Sequence, residues 1–304
     1  MKRLCVMALM GMVAAGCSNE CVDLVENGLE RDGVTETAVA PVRVHVSGFT
    51  VDQTDFAGVR TRSAEDVASH KDVNAVILAF YSGSTEVEKI TQLKDEMGAG
   101  ETFGEFSLSL PMGSYIMMAV ACHVSDTSPF ELTSATVAAY TGLHAFDTFT
   151  TSRTVNVSST AAVDISATLN RATTLLKVIS TDGKAAGVTN VRTTLTGGSR
   201  SFNPTTRFAT DDTGFDNTVS NNATVGNPST SLTYFFLAED EQTMNVTIET
   251  LDADENVLFS KTLENVPFKR NRKTVLTGPM YTNNGVNGSF KVETEWLEDY
   301  NMGF

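Results

Sequence analysis

Asp72-Val-Asn-Ala-Val-Ile-Leu-Ala-Phe-Tyr81 is the stretch on which the fold turns, an almost unbroken apolar run closed by Ser82-Gly83-Ser84. A strand with one wet face alternates apolar and polar residues, so a continuous run ending in a turn predicts a central strand buried on both faces. Upstream, Val42, Val44 and Val46 alternate with Arg43, His45 and Ser47, the period of a half-buried strand. Asp55 to Lys71 is polar, breaks that pattern and is expected to be a loop. Downstream, Thr85 to Met97 carries a weak helical pattern. Phe106, Leu108 and Leu110 then alternate with Ser107 and Ser109, and Pro111-Met112-Gly113 leads into Tyr115 to Cys122. Pro presets φ and Gly accepts the strained position, which predicts a hairpin here.

The second half repeats this grammar. Val163, Ile165, Ala167 and Leu169 alternate, Thr174 to Ser180 is another buried run, and Asp182-Gly183 turns the chain. Residues 197–231 are rich in Gly, Asn, Ser and Thr and are expected to form long surface loops, where binding specificity concentrates. Tyr234 to Leu237, Met244-Val246-Ile248 and Val257 to Phe259 are short strands, and Phe290, Val292, Thr294 and Trp296 share one face of a last strand. Short strands at regular spacing predict an all-β protein of two antiparallel β-sandwich domains, residues 42–170 and 171–304.

The first residues are an address. Lys2 and Arg3 precede an apolar run, Leu4 to Ala15, which is too short to span a bilayer and ends in small residues. Val13-Ala14-Ala15-Gly16-Cys17 resembles the bacterial lipobox, with Ala14 where Leu is usual. That resemblance implies that residues 1–16 are a signal peptide, that Cys17 is lipidated and becomes the mature N-terminus, and that residues 17–41 are a tether. Cleavage would leave 20 basic against 37 acidic residues. If Cys17 carries lipid, Cys21 and Cys122 are the remaining pair, but Cys122 ends an apolar strand and reads as a free core thiol.

Composition and motif spacing remove several function classes. The 304 residues hold 22 Lys and Arg against 37 Asp and Glu, a net charge of −15, whereas a nucleic-acid partner demands the opposite sign. Four Cys and four His leave little for a metal cluster. Asp252-Ala-Asp254-Glu-Asn256 imitates an EF-hand opening, but Val257 stands where Gly is needed and Leu263 where a bidentate Glu belongs, so a hairpin turn explains it. Gly98-Ala-Gly100 with Gly104 is one residue too long for a dinucleotide loop, and no Gly-x-Ser-x-Gly elbow exists. His45, His70, His123 and His144 show no i, i+4 pairing, and alternation makes Glu293 and Glu295 the solvated face of the last strand. No enzyme, catalytic residue, metal site or cofactor is expected.

Six stretches carry a family resemblance. Val44 to Val51 (VHVSGFTV), Gly58-Val-Arg60-Thr-Arg62-Ser-Ala64 and Asp72 to Gly83, followed by Phe106 to Tyr115, look like the N-terminal half of a Bacteroidales fimbrillin, the subunit family of type V pili. Val163 to Val178 and Asn265-Val-Pro-Phe-Lys-Arg-Asn271-Arg-Lys-Thr274-Val-Leu-Thr-Gly278 resemble that family's domain junction and a second-domain strand. The resemblance implies a lipoprotein precursor of two transthyretin-like, Greek-key sandwiches, anchored in the outer membrane through lipid. It further implies cleavage after Arg62 or Arg60 to release the first strand, and assembly with other fimbrial subunits by strand exchange. Phe290, Val292, Thr294 and Trp296 are then the donor strand, and a host or bacterial surface molecule is the adhesion ligand. The alternative is a surface glycan-binding outer-membrane lipoprotein, for which residues 197–231 offer Phe202, Phe208 and Phe215.

Overall fold

The computed structural model describes residues 38–54, 60–282 and 290–296. The first sandwich is built from β1 (Val39–Thr54), β2 (Arg60–Glu65), β3 (Ala75–Ser82), β4 (Thr85–Leu93), β5 (Glu105–Pro111), β6 (Gly113–Cys122), β9 (Phe149–Val157) and β10 (Val163–Arg171), with β7 (Phe130–Ser134) and β8 (Val137–Tyr140) lying outside it. The second comprises β11 (Thr174–Ser180), β12 (Asn190–Leu195), β14 (Phe215–Ser220), β15 (Thr230–Phe235), β16 (Glu241–Leu251), β17 (Val257–Lys269), β18 (Arg272–Gly278) and β19 (Lys291–Trp296). The two-residue β13 (Ser201–Phe202) belongs to the second half of the chain but pairs with β8. The fold is all-β, and among the described residues the one helical turn is the 3-10 segment Lys94–Glu96.

β1 to β6, β9 and β10 form one eight-stranded sheet in the order β2-β1-β10-β9-β6-β3-β4, with β5 also on β1. β9 and β10 share only two register pairs, Asn170↔Thr150 and Arg171↔Phe149. The sheet therefore folds over at that corner into two layers, one carrying Val42, Val44, Val46, Ile165 and Leu169, the other Val76, Leu78, Phe80, Met117 and Ala119, with one apolar core between them. The opposite face of β3 and β6 is also covered. Ala75, Ile77, Tyr81, Met118 and Val120 pack under β7, β8 and β13, where Phe202 stacks on Phe236 at 4.1 Å. That double cover is why Asp72 to Tyr81 reads as a continuous apolar run.

The second sandwich stacks the sheet β15-β11-β18-β19 on the sheet β14-β12-β16-β17. Leu176, Val178, Leu276 and Met280 from one layer meet Val191, Val246, Ile248 and Phe268 from the other.

Local pattern misleads at five places, each for a tertiary reason. β5 and β6 do not form a hairpin: Pro111 to Gly113 carries the chain from one layer to the other, so β5 pairs with β1 while β6 pairs with β3 and β9. The polar stretch expected as a loop contains β2, which pairs with the far half of β1. Thr85 to Leu93 is the edge strand β4 rather than helix, because β3 supplies its ladder. Residues 197–231 contain β13 and β14. The sandwiches are not purely antiparallel, since β1 runs parallel to β10 and β11 parallel to β18.

Candidate assembly elements and the cleft between the sandwiches

β1 is hydrogen-bonded along both sides. Residues Val39 to His45 pair with β5 and Phe49 to Thr54 with β2 on one side, while Val42 to Phe49 pair with β10 on the other. Val42, Val44 and Val46 are buried, whereas Arg43 faces Asp164 at 3.8 Å and His45 pairs with Glu105 on the exposed face. Its removal would strip β2, β5 and β10 of a ladder partner and open a valine-lined groove in the core. Arg60 and Arg62 lie on β2, opposite Thr54 and Asp52, at the end of the sheet path. An edge strand already presents extended backbone with one unpaired side, the form in which a chain adds to another sheet or to a protease cleft. Cys17 falls outside the described residues.

β19 is held by a single ladder, to β18, with Leu276↔Val292, Thr274↔Thr294 and Arg272↔Trp296 in register. Val292 shares a face with the fully buried Leu276 yet is 40% exposed, so the core is not closed over it. Phe290 packs at the core margin on Gly278, where a Cβ would come within 2.6 Å of the ring.

Upstream of β19 the chain is clamped. The Asp182 carboxylate accepts the backbone N–H groups of Met280, Tyr281 and Thr282 at 2.8, 2.9 and 3.0 Å, and the Thr282 hydroxyl at 3.0 Å. Partial burial pushes this carboxyl upward, but the hydrogen bonds outweigh burial and hold it below the usual carboxylate value. The Tyr281 hydroxyl is itself held by Asn221 at 2.7 Å and by Ser229.

The passage from β10 to β11 is tied by a buried knot. Arg171 Nε donates to both Asp147 oxygens at 2.9 and 3.0 Å, its Nη1 donates to Asn271 Oδ1 at 3.0 Å, and its guanidinium lies 4.8 Å from the centre of the Phe149 ring. Thr173 donates to Asp147 at 2.7 Å, and both ionic side chains are less than a tenth exposed. Charges this deep persist only when paired.

Beside the knot lies a cleft of about 410 Å³, bounded by residues 71–72, 123 and 144–147 from the first half and by β14 and β15 from the second. β14 and β15 are the edges of the two layers of the second sandwich. Asn217 on β14 ties them together, donating to Thr233 Oγ1 at 3.0 Å. β4 and β5 are the corresponding edges of the first sandwich, and there Gln92 bridges the layers, donating to Glu105 O at 2.7 Å and accepting from Gly104 N at 2.8 Å. The sequence reading missed this cleft because its residues come from separated segments. The available signal was the concentration of His123, His144 and Phe146 near the end of the first half. Cys122 is a free, buried thiol, pushed upward by burial, as the core-thiol reading expected.

These features define a class: an all-β chain of two sandwiches, in which the last described strand, β19, is held by a single ladder. The chain belongs to the family of unknown function DUF6562, which it matches over residues 36–302. Among solved structures it is similar in fold to the fimbrial anchor protein Mfa2 of Porphyromonas gingivalis, at 10% identity over 84% of this chain and 97% of that one, with a TM-score of 0.49. It is also similar to the tip fimbrial protein Mfa3 of the same organism, at 11% identity over 85% of this chain and 99% of that one, with a TM-score of 0.41. No curated protein matches its sequence.

Proposed function

We propose that the protein is a structural subunit of a cell-surface fimbrium that serves adhesion, exported as a lipoprotein anchored through Cys17 and assembled by protease-triggered strand exchange. The observation that carries this reading is the position of β1. It is the first described strand, it supplies one wall of a core, and it is followed at once by an edge strand bearing Arg60 and Arg62. Cleavage there frees β1 from the rest of the chain. The groove it leaves has unpaired backbone on β5 and β10 and exposed apolar surface, and an added strand relieves both. β19 has the complementary character, an edge strand with Val292 on the inward face and only one ladder to lose. The sandwiches, residues 42–170 and 171–304, are the repeating body, and partners are further fimbrial subunits at the outer membrane.

The test uses the purified precursor, an Arg-specific protease and SDS-resistant ladders as readout. Cleavage of the parent should produce ladders. Val292→Asp should abolish them while leaving the monomer folded, because the new charge would be buried unpaired in the partner's groove at a cost of several kcal/mol. Ladders from uncut parent, or ladders unchanged by Val292→Asp, would falsify this mechanism.

A further inference from the structure

The cleft at the β14/β15 edge takes no part in strand exchange, and its chemistry selects a ligand. A volume of about 410 Å³ lies in the range of small-molecule sites, which favour the seams between packed units. Its charges cancel. Asp147 is neutralised by Arg171, and Asp72 stands next to Lys71. A phosphorylated ligand would meet no surplus of positive charge here.

The remaining polar groups include both donors and acceptors. The Asn217 amide nitrogen donates to Thr233, which leaves Asn217 Oδ1 to accept from His144 Nδ1 at 2.7 Å. That bond fixes the His144 tautomer and leaves Nε2 as an acceptor. Burial pushes the Tyr234 phenol upward, so it stays a neutral donor. Between them stand apolar surfaces, Phe146 and the exposed Leu232. A peptide strand is excluded at this point, because Ala145 already bridges Tyr234 along the β15 edge.

We infer that this cleft binds a neutral saccharide, with apolar C–H faces of the sugar against Phe146 and Leu232 and hydroxyls paired with His144 Nε2 and the Tyr234 hydroxyl. Hydroxyl groups donate and accept at once, so they can pair both with the His144 Nε2 acceptor and with the Tyr234 hydroxyl. The inference goes beyond the subunit role, since binding is read on the uncut, unassembled chain and its failure is independent of ladder formation.

The experiment is saturation-transfer NMR on the full chain, with neutral hexoses, N-acetylhexosamines, fucose and their common disaccharides as probes, and glucuronate and mannose 6-phosphate as charged probes. At least one neutral probe should receive transfer. Tyr234→Phe, which keeps the ring, should weaken it about fivefold by removing one hydrogen bond. Leu232→Asp, at an already exposed position, should weaken it further. Unchanged melting temperatures in both variants separate lost contacts from lost fold. Transfer to no neutral probe, to charged probes alone, or equally in parent and both variants overturns the inference.

Discussion

The two sandwiches share one wiring plan and differ in how they hold their first strand. In the first, β1 lies between β5 and β10; in the second, β11 lies between β15 and β18, and in each the pairing to the later strand is parallel. The companion sheets match as well, β4-β3-β6-β9 against β14-β12-β16-β17. β1 is followed by an edge strand with two arginines. β11 is instead continuous with β10 through Ala172 and Thr173 and bound by the Arg171–Asp147 knot and by Asn271 N donating to Thr173 O at 3.0 Å. One structural position is thus followed by an arginine-bearing edge strand in one sandwich and tied down by a buried ion pair in the other.

The sharpest way to break that contrast is at the knot. Arg171→Met leaves the Asp147 carboxylate buried with Thr173 as its remaining partner, and loss of one member of a buried pair costs about 3–5 kcal/mol. Denaturant unfolding of the full chain should show that loss. A variant as stable as the parent would mean that the knot is not what fixes β11.

Next in size is a matched pair, Val44→Ala in β1 and Val178→Ala in β11, both at fully buried positions. Each deletes two buried carbons, worth about 2 kcal/mol in the uncut chain. Unfolding of the cleaved, assembled form should no longer register Val44→Ala, because β1 has left, and should still register Val178→Ala in full. Equal penalties in both forms would show that β1 stays.

Asp182→Ala, the smallest of the three, removes the clamp ahead of β19 and should cost about 1 kcal/mol at neutral pH. The folded carboxyl sits below its unfolded value, so its contribution is full above about pH 3.9 and is lost as pH falls through the lowered folded value. Melting curves of parent and variant should therefore converge in acid. A gap that persists undiminished at low pH would assign the stabilisation to packing of Met280 rather than to the carboxylate.

Sequence pattern revealed burial well and pairing poorly. β3 was legible because alternate residues serve different cores, Val76, Leu78 and Phe80 one and Ala75, Ile77 and Tyr81 the other, which leaves no polar position. The β16–β17 hairpin was legible because its turn is local, with Asp252 accepting from Asp254 N and Asn256 N. The Pro111-Met112-Gly113 passage was not, since a tight turn looks the same whether the strands it joins pair or separate into two layers. β2 and β14 are polar, and their strand character comes from β1 and β12 rather than from their own residues. The last strand was readable from alternation alone. The cleft was not, because Asp72, His144 and Tyr234 are brought together by the packing of one sandwich on the other.

The parallel pairing of β11 with β18 has a mechanical consequence. Were β19 donated to a neighbouring subunit, the chain would leave the second sandwich at the end of β18, and that end and the end of β11 at which it enters lie at opposite ends of one ladder, running from Leu175↔Lys273 to Ser180↔Gly278. Tension applied through those ends slides the strands along each other and loads every rung together, whereas an antiparallel pair would open like a zip, one rung at a time. Under flow, a fibre of such units would yield at the pace of whole-ladder rupture, and its lifetime under load would be set by an unfolding rate rather than by equilibrium stability.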